Sequence, residues 1–193
     1  ENIYWPDTNG IKLISAGDYS NTIIDGGGTS SVIYMNPQTA TIDTTTLIQG
    51  FKITNGGNVN NGGGLFISNA SPSISHLLVI DNEANDNCGG IYFPTTPTPG
   101  QSVIKNITIM NNTAYNDGGG LCCGNSIEIL KNAVIKGNIA TNGHGGGIII
   151  GGAINLVNVI IDNNTSLSVG GGIYLVGDNA NLTSVKISNN ITN

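Results

Sequence analysis

The sequence predicts an all-β protein, a parallel β-solenoid of about seven coils of roughly 26 residues each. Three observations lead there. Glycine clusters begin at Gly62, Gly89 (with Cys88 in the first slot), Gly118, Gly145 and Gly170. A column of asparagines, Asn82, Asn112, Asn138, Asn164 and Asn190, follows the same spacing, with one coil lengthened by about four residues. Each glycine cluster is followed by three residues of which the first and third are apolar. No 3.6-residue apolar pattern is seen.

The first strand of each coil follows its glycines: Leu65-Phe66-Ile67, Ile91-Tyr92-Phe93, Leu121-Cys122-Cys123, Ile148-Ile149-Ile150 and Ile173-Tyr174-Leu175. Side chains two apart share a face of a strand, so positions one and three point to a common core. The second strand repeats the pattern with Phe51/Ile53, Leu77/Val79, Ile107/Ile109, Ala133/Ile135, Val159/Ile161 and Val185/Ile187. Two short β-branched strands per coil cannot bury their own face, so neighbouring coils must stack with equivalent strands parallel, ~4.8 Å apart. The glycines suit sharp corners and close backbone approach. The asparagines suit a ladder: Asn tolerates the left-handed region, and its amide can bond the same amide one coil above and below. A second polar column, His76, Asn106, Asn132, Asn158 and Ser184, lies between the paired apolar positions and is expected to face solvent.

The whole chain, 1–193, reads as one β-helix domain. Residues 1–40 are less regular and are expected to cap the first coil, with Trp5 and Tyr19 covering it. Residues 41–193 are the regular repeats. Pro94-Thr95-Thr96-Pro97-Thr98-Pro99-Gly100 is a Pro-rich excursion, expected as a surface bulge. The last strand ends at Asn193 without a cap, and the repeats are expected to continue in a longer parent protein.

Glycine is 29 of 193 residues, about twice average usage, and here it counts corners. Only 9% of residues are charged, the net charge is −6, and the six basic residues are all lysine. That composition argues against a phosphate-reading surface, hence no nucleic acid, and against anionic membranes. No run approaches the ~18 apolar residues that a transmembrane helix needs. The three cysteines, odd in number, give no disulfide framework. Cys123 falls in an inward column as a small apolar residue; Cys122 and Cys123 face opposite ways. The one pairing open is Cys88 with Cys122, one coil on.

The repeat resembles the right-handed parallel β-helix repeats of bacterial surface proteins, above all the polymorphic outer-membrane protein repeats. Their Gly-Gly-x-Ile motif corresponds here to Gly-Gly-Gly-Ile at 145–148 and 170–173, with Gly-Gly-Ile at 89–91. Their apolar-x-x-Asn motif corresponds to Val79-x-x-Asn82, Ile109-x-x-Asn112, Ile135-x-x-Asn138, Ile161-x-x-Asn164 and Ile187-x-x-Asn190. The resemblance implies a right-handed coil and a secreted or cell-surface bacterial location. In that setting the Asn-x-Ser/Thr triplets at Asn69, Asn106, Asn111, Asn163, Asn164, Asn181 and Asn190 are by-products of the repeat.

Pectin-lyase-like enzymes share this fold, and Gly143-His144-Gly145 matches the Gly-His-Gly of polygalacturonases. The rest of that site is missing, and no facing carboxyl pair is evident for hydrolysis; His144 reads as a corner residue. Lyase chemistry resembling that family needs Arg or Lys with clustered carboxylates on Ca²⁺. Here Asp81, Asp86, Asp117 and Asp162 are scattered, and the Ca²⁺ reading reduces to Asp81 with Asp86. No catalytic residue and no cofactor is expected. Neither Gly26-Gly27-Gly28 nor Gly62-Gly63-Gly64 is a phosphate loop.

One outward feature calls for a partner. The middle position of the first strand carries Phe66, Tyr92, Cys122, Ile149 and Tyr174, an apolar and partly aromatic stripe. Phe66, Tyr92, Ile149 and Tyr174 are the candidate interface, facing a sister β-helix, another cell-surface partner or a carbohydrate. The expectation is a non-catalytic structural or adhesive rod, or a filament subunit. The alternatives are a carbohydrate-binding or carbohydrate-active β-helix and, lower, an ice-binding solenoid, for which Thr44-Thr45-Thr46 is a local run only.

Overall fold

The computed structural model describes residues 1–94, 101–177 and 179–193. Apolar residues two apart cannot be buried by one short strand, and the structure answers with stacking. It is a parallel β-solenoid of about seven turns, with no helix among the described residues. The first sheet holds seven strands: Ile3–Tyr4, Ile33–Met35, Leu65–Ile67, Ile91–Phe93, Leu121–Cys123, Ile148–Ile150 and Ile173–Leu175. The expected columns stand in register, Leu65 on Ile91 on Leu121 on Ile148 on Ile173. The inward residues of both expected strands form one continuous core with Trp5, Val32, Met35, Ile48 and Leu130. In the last coil, covered on one side only, Val185 is half-buried, while Leu175 and Ile187, both expected inward, are 47% and 52% exposed.

The second sheet corrects the expectation of two short strands per coil. In Ser102–Met110, Ile127–Lys136, Ile154–Asp162 and Ala180–Ser188, the expected second strand is the far half of a longer one. Each long strand bends at the second polar column. His76, Asn106, Asn132, Asn158 and Ser184 all have φ of 53–56°. Pairing skips them: Lys105 faces Lys131 and Ile107 faces Ala133, with Asn106 left out. A left-handed residue turns the pleat, so one sheet becomes two facets. The column does face solvent, as a second ladder: Asn132 Nδ2 donates to Asn106 Oδ1 at 2.9 Å and Asn158 Nδ2 to Asn132 Oδ1 at 3.0 Å.

A third sheet, of two-residue strands, was too short to show an alternation. It comprises Glu83–Ala84, Thr113–Ala114, Ile139–Ala140, Thr165–Ser166 and Ile191–Thr192. Each follows a ladder asparagine. The left-handed position lies one residue earlier than expected, at Asp81, Asn111, Gly137, Asn163 and Asn189 (φ 52–65°). The ladder residue itself swings its amide inward.

The glycine clusters divide their work by position. The first member, such as Gly145 (φ 61°), makes the turn, and Cys88 does so at φ 58°. The third makes room. A Cβ on Gly147 would sit 2.5 Å from Gly172 O and 2.9 Å from Asn164 Nδ2. The glycine column is thus the socket in which the asparagine ladder is seated.

Residues 1–40 already belong to the coils. Ile3–Tyr4 pairs with Ile33–Met35, Lys12–Ile14 with Leu47–Gln49, and Ile23–Asp25 with Lys52–Thr54. Trp5 is buried in the core, whereas Tyr19, expected beside it, is 42% exposed. The Pro-rich excursion lies, from 95 to 100, outside the described residues. Among the described residues no helix is long and apolar enough to cross a membrane.

Candidate binding face

The asparagine column is interior and structural. Asn112, Asn138 and Asn164 are fully buried and Asn82 almost so. The fully buried amides are used in full. Asn138 Nδ2 donates to Ile109 O and Asn164 Oδ1, both at 3.0 Å, while its Oδ1 accepts from the backbone N and the Nδ2 of Asn112, both at 3.0 Å. The column runs from Asn190 to Asn82 and ends on Gly56 N, which donates to Asn82 Oδ1 at 2.9 Å. Asn190, in the last coil, is half-buried. These bonds leave the ladder no capacity for a ligand.

The outward stripe is real and longer than the sequence reading had it. Tyr4, Tyr34, Phe66, Tyr92, Cys122, Ile149 and Tyr174 follow one another in register across the first sheet. Tyr34 and Phe66 stack at 4.9 Å and 10°. Tyr4 meets Tyr34 at 5.7 Å and 49°, and Tyr92 meets Phe66 at 5.5 Å and 32°. Tyr34 was overlooked although Ile33-Tyr34-Met35 carries the same apolar-x-apolar signature, because Ser30-Ser31-Val32 replaces the glycines before it. Tyr4 is 67% exposed; Tyr34, Phe66, Tyr92, Ile149 and Tyr174 are half-buried. Burial first, and then the charge of Asp86, hold the Tyr92 phenol above its ordinary range, so it remains a hydroxyl donor.

The stripe is interrupted at its middle. Cys122 is joined to Cys88 by a disulfide, with Cα atoms 5.8 Å apart, which corrects the expectation of no disulfide framework. The bond straps the corner of one coil to the strand of the next. Cys123 is free and buried, and burial pushes its thiol up to about 12. An open depression of about 280 Å³ lies over Cys122, between Tyr92 and Ile149.

A larger depression, of about 590 Å³, opens over the other end of the stripe. Tyr4, Tyr34 and Phe66 line it on one side, and Ser30 and the turn Asn58–Asn61 on the other. Asn58 and Asn60 are exposed. Asn61 Oδ1 accepts from Asn87 Nδ2 at 3.1 Å, and Tyr4 Oη and Ser30 Oγ are 3.4 Å apart.

The remaining polar groups are dispersed. His144 stacks on Tyr174 at 4.7 Å, and its Nδ1 is 3.0 Å from Asp117 Oδ1, a corner contact as expected. Asp81 takes a left-handed bend, and Asp86 Oδ1 accepts from Asn116 Nδ2 at 2.6 Å. Among the described residues no three His, Cys, Asp or Glu side chains come together to hold a metal ion. All six lysines lie in strands of the second sheet, with Lys105 and Lys131 direct neighbours.

Compared with models of known protein families, with curated proteins and with solved structures, the chain matches none.

Proposed function

We propose that this chain is a non-catalytic structural and adhesive β-helix, a rigid rod carried outside a bacterial cell or on its surface, with the aromatic column as its contact face. The observation that carries the reading is that column: seven outward positions in register, six of them aromatic or aliphatic, contiguous along one sheet. The interior is consistent with a rod, since its asparagine amides bond to one another along the axis. The Cys88–Cys122 disulfide suits an oxidising, extracellular setting. The Gly-Gly-Gly-Ile and Ile-x-x-Asn motifs support the finer reading, surface repeats of the polymorphic outer-membrane kind. Thr44, Thr45 and Thr46 form a turn bonded to Asp43 and Asn9, so the ice-binding alternative has no flat threonine array behind it.

The test is attachment. Beads coated with the chain are scored for adhesion to bacterial cells and for lateral clustering by negative-stain microscopy. Wild type is expected to adhere or cluster, and Phe66→Ala and Tyr92→Ala to do neither. An absorbance assay on polyuronates is expected to stay flat. Chain cleavage there, or adhesion indifferent to the stripe, would overturn the reading.

A further inference from the structure

Resting on the adhesive reading above, we propose that the depression over Tyr4, Tyr34 and Phe66 binds an uncharged polysaccharide, its sugar rings against the aromatic side chains and its hydroxyls on Asn58, Asn60 and Asn61. The floor is aromatic. The column is not one parallel stack: Tyr4 and Tyr92 flank the stacked Tyr34–Phe66 pair at 49° and 32°, Tyr4 is 67% exposed, and Tyr34 and Phe66 keep part of their surface open to solvent. Successive rings are 5.7, 4.9 and 5.5 Å apart, on the scale of one sugar residue in an extended chain running along the solenoid axis. The apolar C–H face of a pyranose fits such rings.

The wall supplies the rest. In the turn Asn58–Asn61, Asn58 and Asn60 offer side-chain amides with donor and acceptor, Asn61, whose Oδ1 accepts from Asn87, offers its Nδ2 donor, and Ser30 adds a hydroxyl. A sugar hydroxyl is itself both donor and acceptor, so a polyol matches this wall better than a ligand with acceptors alone. Neighbouring contacts hold the site in shape: Asn36 Nδ2 donates to Tyr34 Oη at 3.3 Å, and Asn61 is tied to Asn87.

Charge selects among polymers. Among the described residues no carboxylate, lysine or histidine lines the depression. The lysines lie on the second sheet, and the chain carries a net −6, so an acidic polymer finds no cation here and is repelled overall. Of the strands that bear the rings, Ile33–Met35 and Leu65–Ile67 are each paired on both sides and offer an extended peptide no edge; Ile3–Tyr4 ends the sheet and is paired on one side only.

The experiment is electrophoresis of the chain through native gels containing soluble β-glucan, mannan, xylan, galactan or polygalacturonate. Retardation is expected in at least one neutral polymer, unchanged at high salt. Tyr34→Ala and Phe66→Ala are each expected to weaken it about tenfold. Asn60→Ala, on an exposed turn, is expected to weaken it about fivefold with the circular dichroism spectrum unchanged. Tyr174→Ala, at the far end of the stripe, leaves it intact. The proposal is overturned if no neutral polymer retards the chain, if only polygalacturonate does so in a salt-sensitive way, or if the folded Asn60 and Tyr34 variants bind like wild type. Concentration-dependent sedimentation lost in Tyr34→Ala, without glycan binding, would assign the face to a second copy instead. Adhesion that depends on the stripe but survives without glycan binding refutes this inference and leaves the adhesive reading standing; loss of both refutes both.

Discussion

Replacing Asn138 by alanine tests what holds the coils together. The substitution removes an acceptor from two donors on Asn112, its backbone N–H and its side-chain N–H, at a site with no solvent exposure. It also removes the donor to Ile109 O and Asn164 Oδ1. Two orphaned buried donors at about 1–3 kcal/mol each give an expected loss of about 2–6 kcal/mol. That is a large share of a stability of about 5–15 kcal/mol. Asn132→Ala is the control, since its ladder stands in solvent and the main cost is a Cβ residue other than Asn at φ 53°, about 1–2 kcal/mol. The assay is urea unfolding followed by circular dichroism. Asn138→Asp sharpens it: the new carboxylate keeps both bonds from Asn112 but faces Ile109 O and Asn164 Oδ1 with no proton to give. Its folded-state pKa is therefore raised, and stability is expected to fall as pH rises from the unfolded carboxyl range through the folded value. A cost for Asn138→Ala no greater than that for Asn132→Ala, or an Asn138→Asp variant indifferent to pH, would refute the buried-ladder argument.

Other perturbations separate the remaining contributions. Gly27→Ala, at φ 63° with nothing within 4 Å of a new Cβ, is expected to cost about 1–2 kcal/mol in thermal unfolding. Gly146→Ala drives its Cβ into Thr165 O and Gly171 O and is expected to yield no folded protein on gel filtration. Cutting the disulfide by Cys122→Ser opens a cross-link 34 residues apart and is expected to cost about 3–4 kcal/mol in urea; added reductant should lower the midpoint of wild type but not of the variant. Because burial holds the Cys123 thiol at about 12, native protein is expected to resist alkylation at mildly alkaline pH and to react once in urea. Since that pKa is raised on folding, stability is expected to fall as pH climbs from the ordinary thiol range toward about 12.

The parts of this fold that repeat were legible; the parts that bend were not. Leu65, Ile91, Leu121, Ile148 and Ile173 announce a stacked core because burial on one face leaves a period of two within the strand and a longer period along the chain. The asparagine column was legible for the same reason. The bend at Asn106 was hidden because a left-handed residue inside a strand looks like any outward polar position. The third sheet was hidden because Thr113–Ala114 and its equivalents are too short to alternate. Tyr34 went unseen because its coil lacks the glycine marker, although its φ and packing need none. The depression beside it depends on the turn Asn58–Asn61, which is bonded to residues 85–87 one coil away, a contact with no local signal.

The long coil shows how such a molecule tolerates change. Asn82 and Asn112 are 30 residues apart where later rungs are 26, yet Ile91 still meets Leu121 and Val79 still meets Ile109. The four additional residues therefore leave the docking points on either side of them in register, and the thread resumes its pitch. Genetic lengthening is confined to two modes: whole turns added like identical bricks, each top surface matching the underside of the next, or decorations hung from a corner. The axial dimension and the surface ornament of the rod can thus evolve separately.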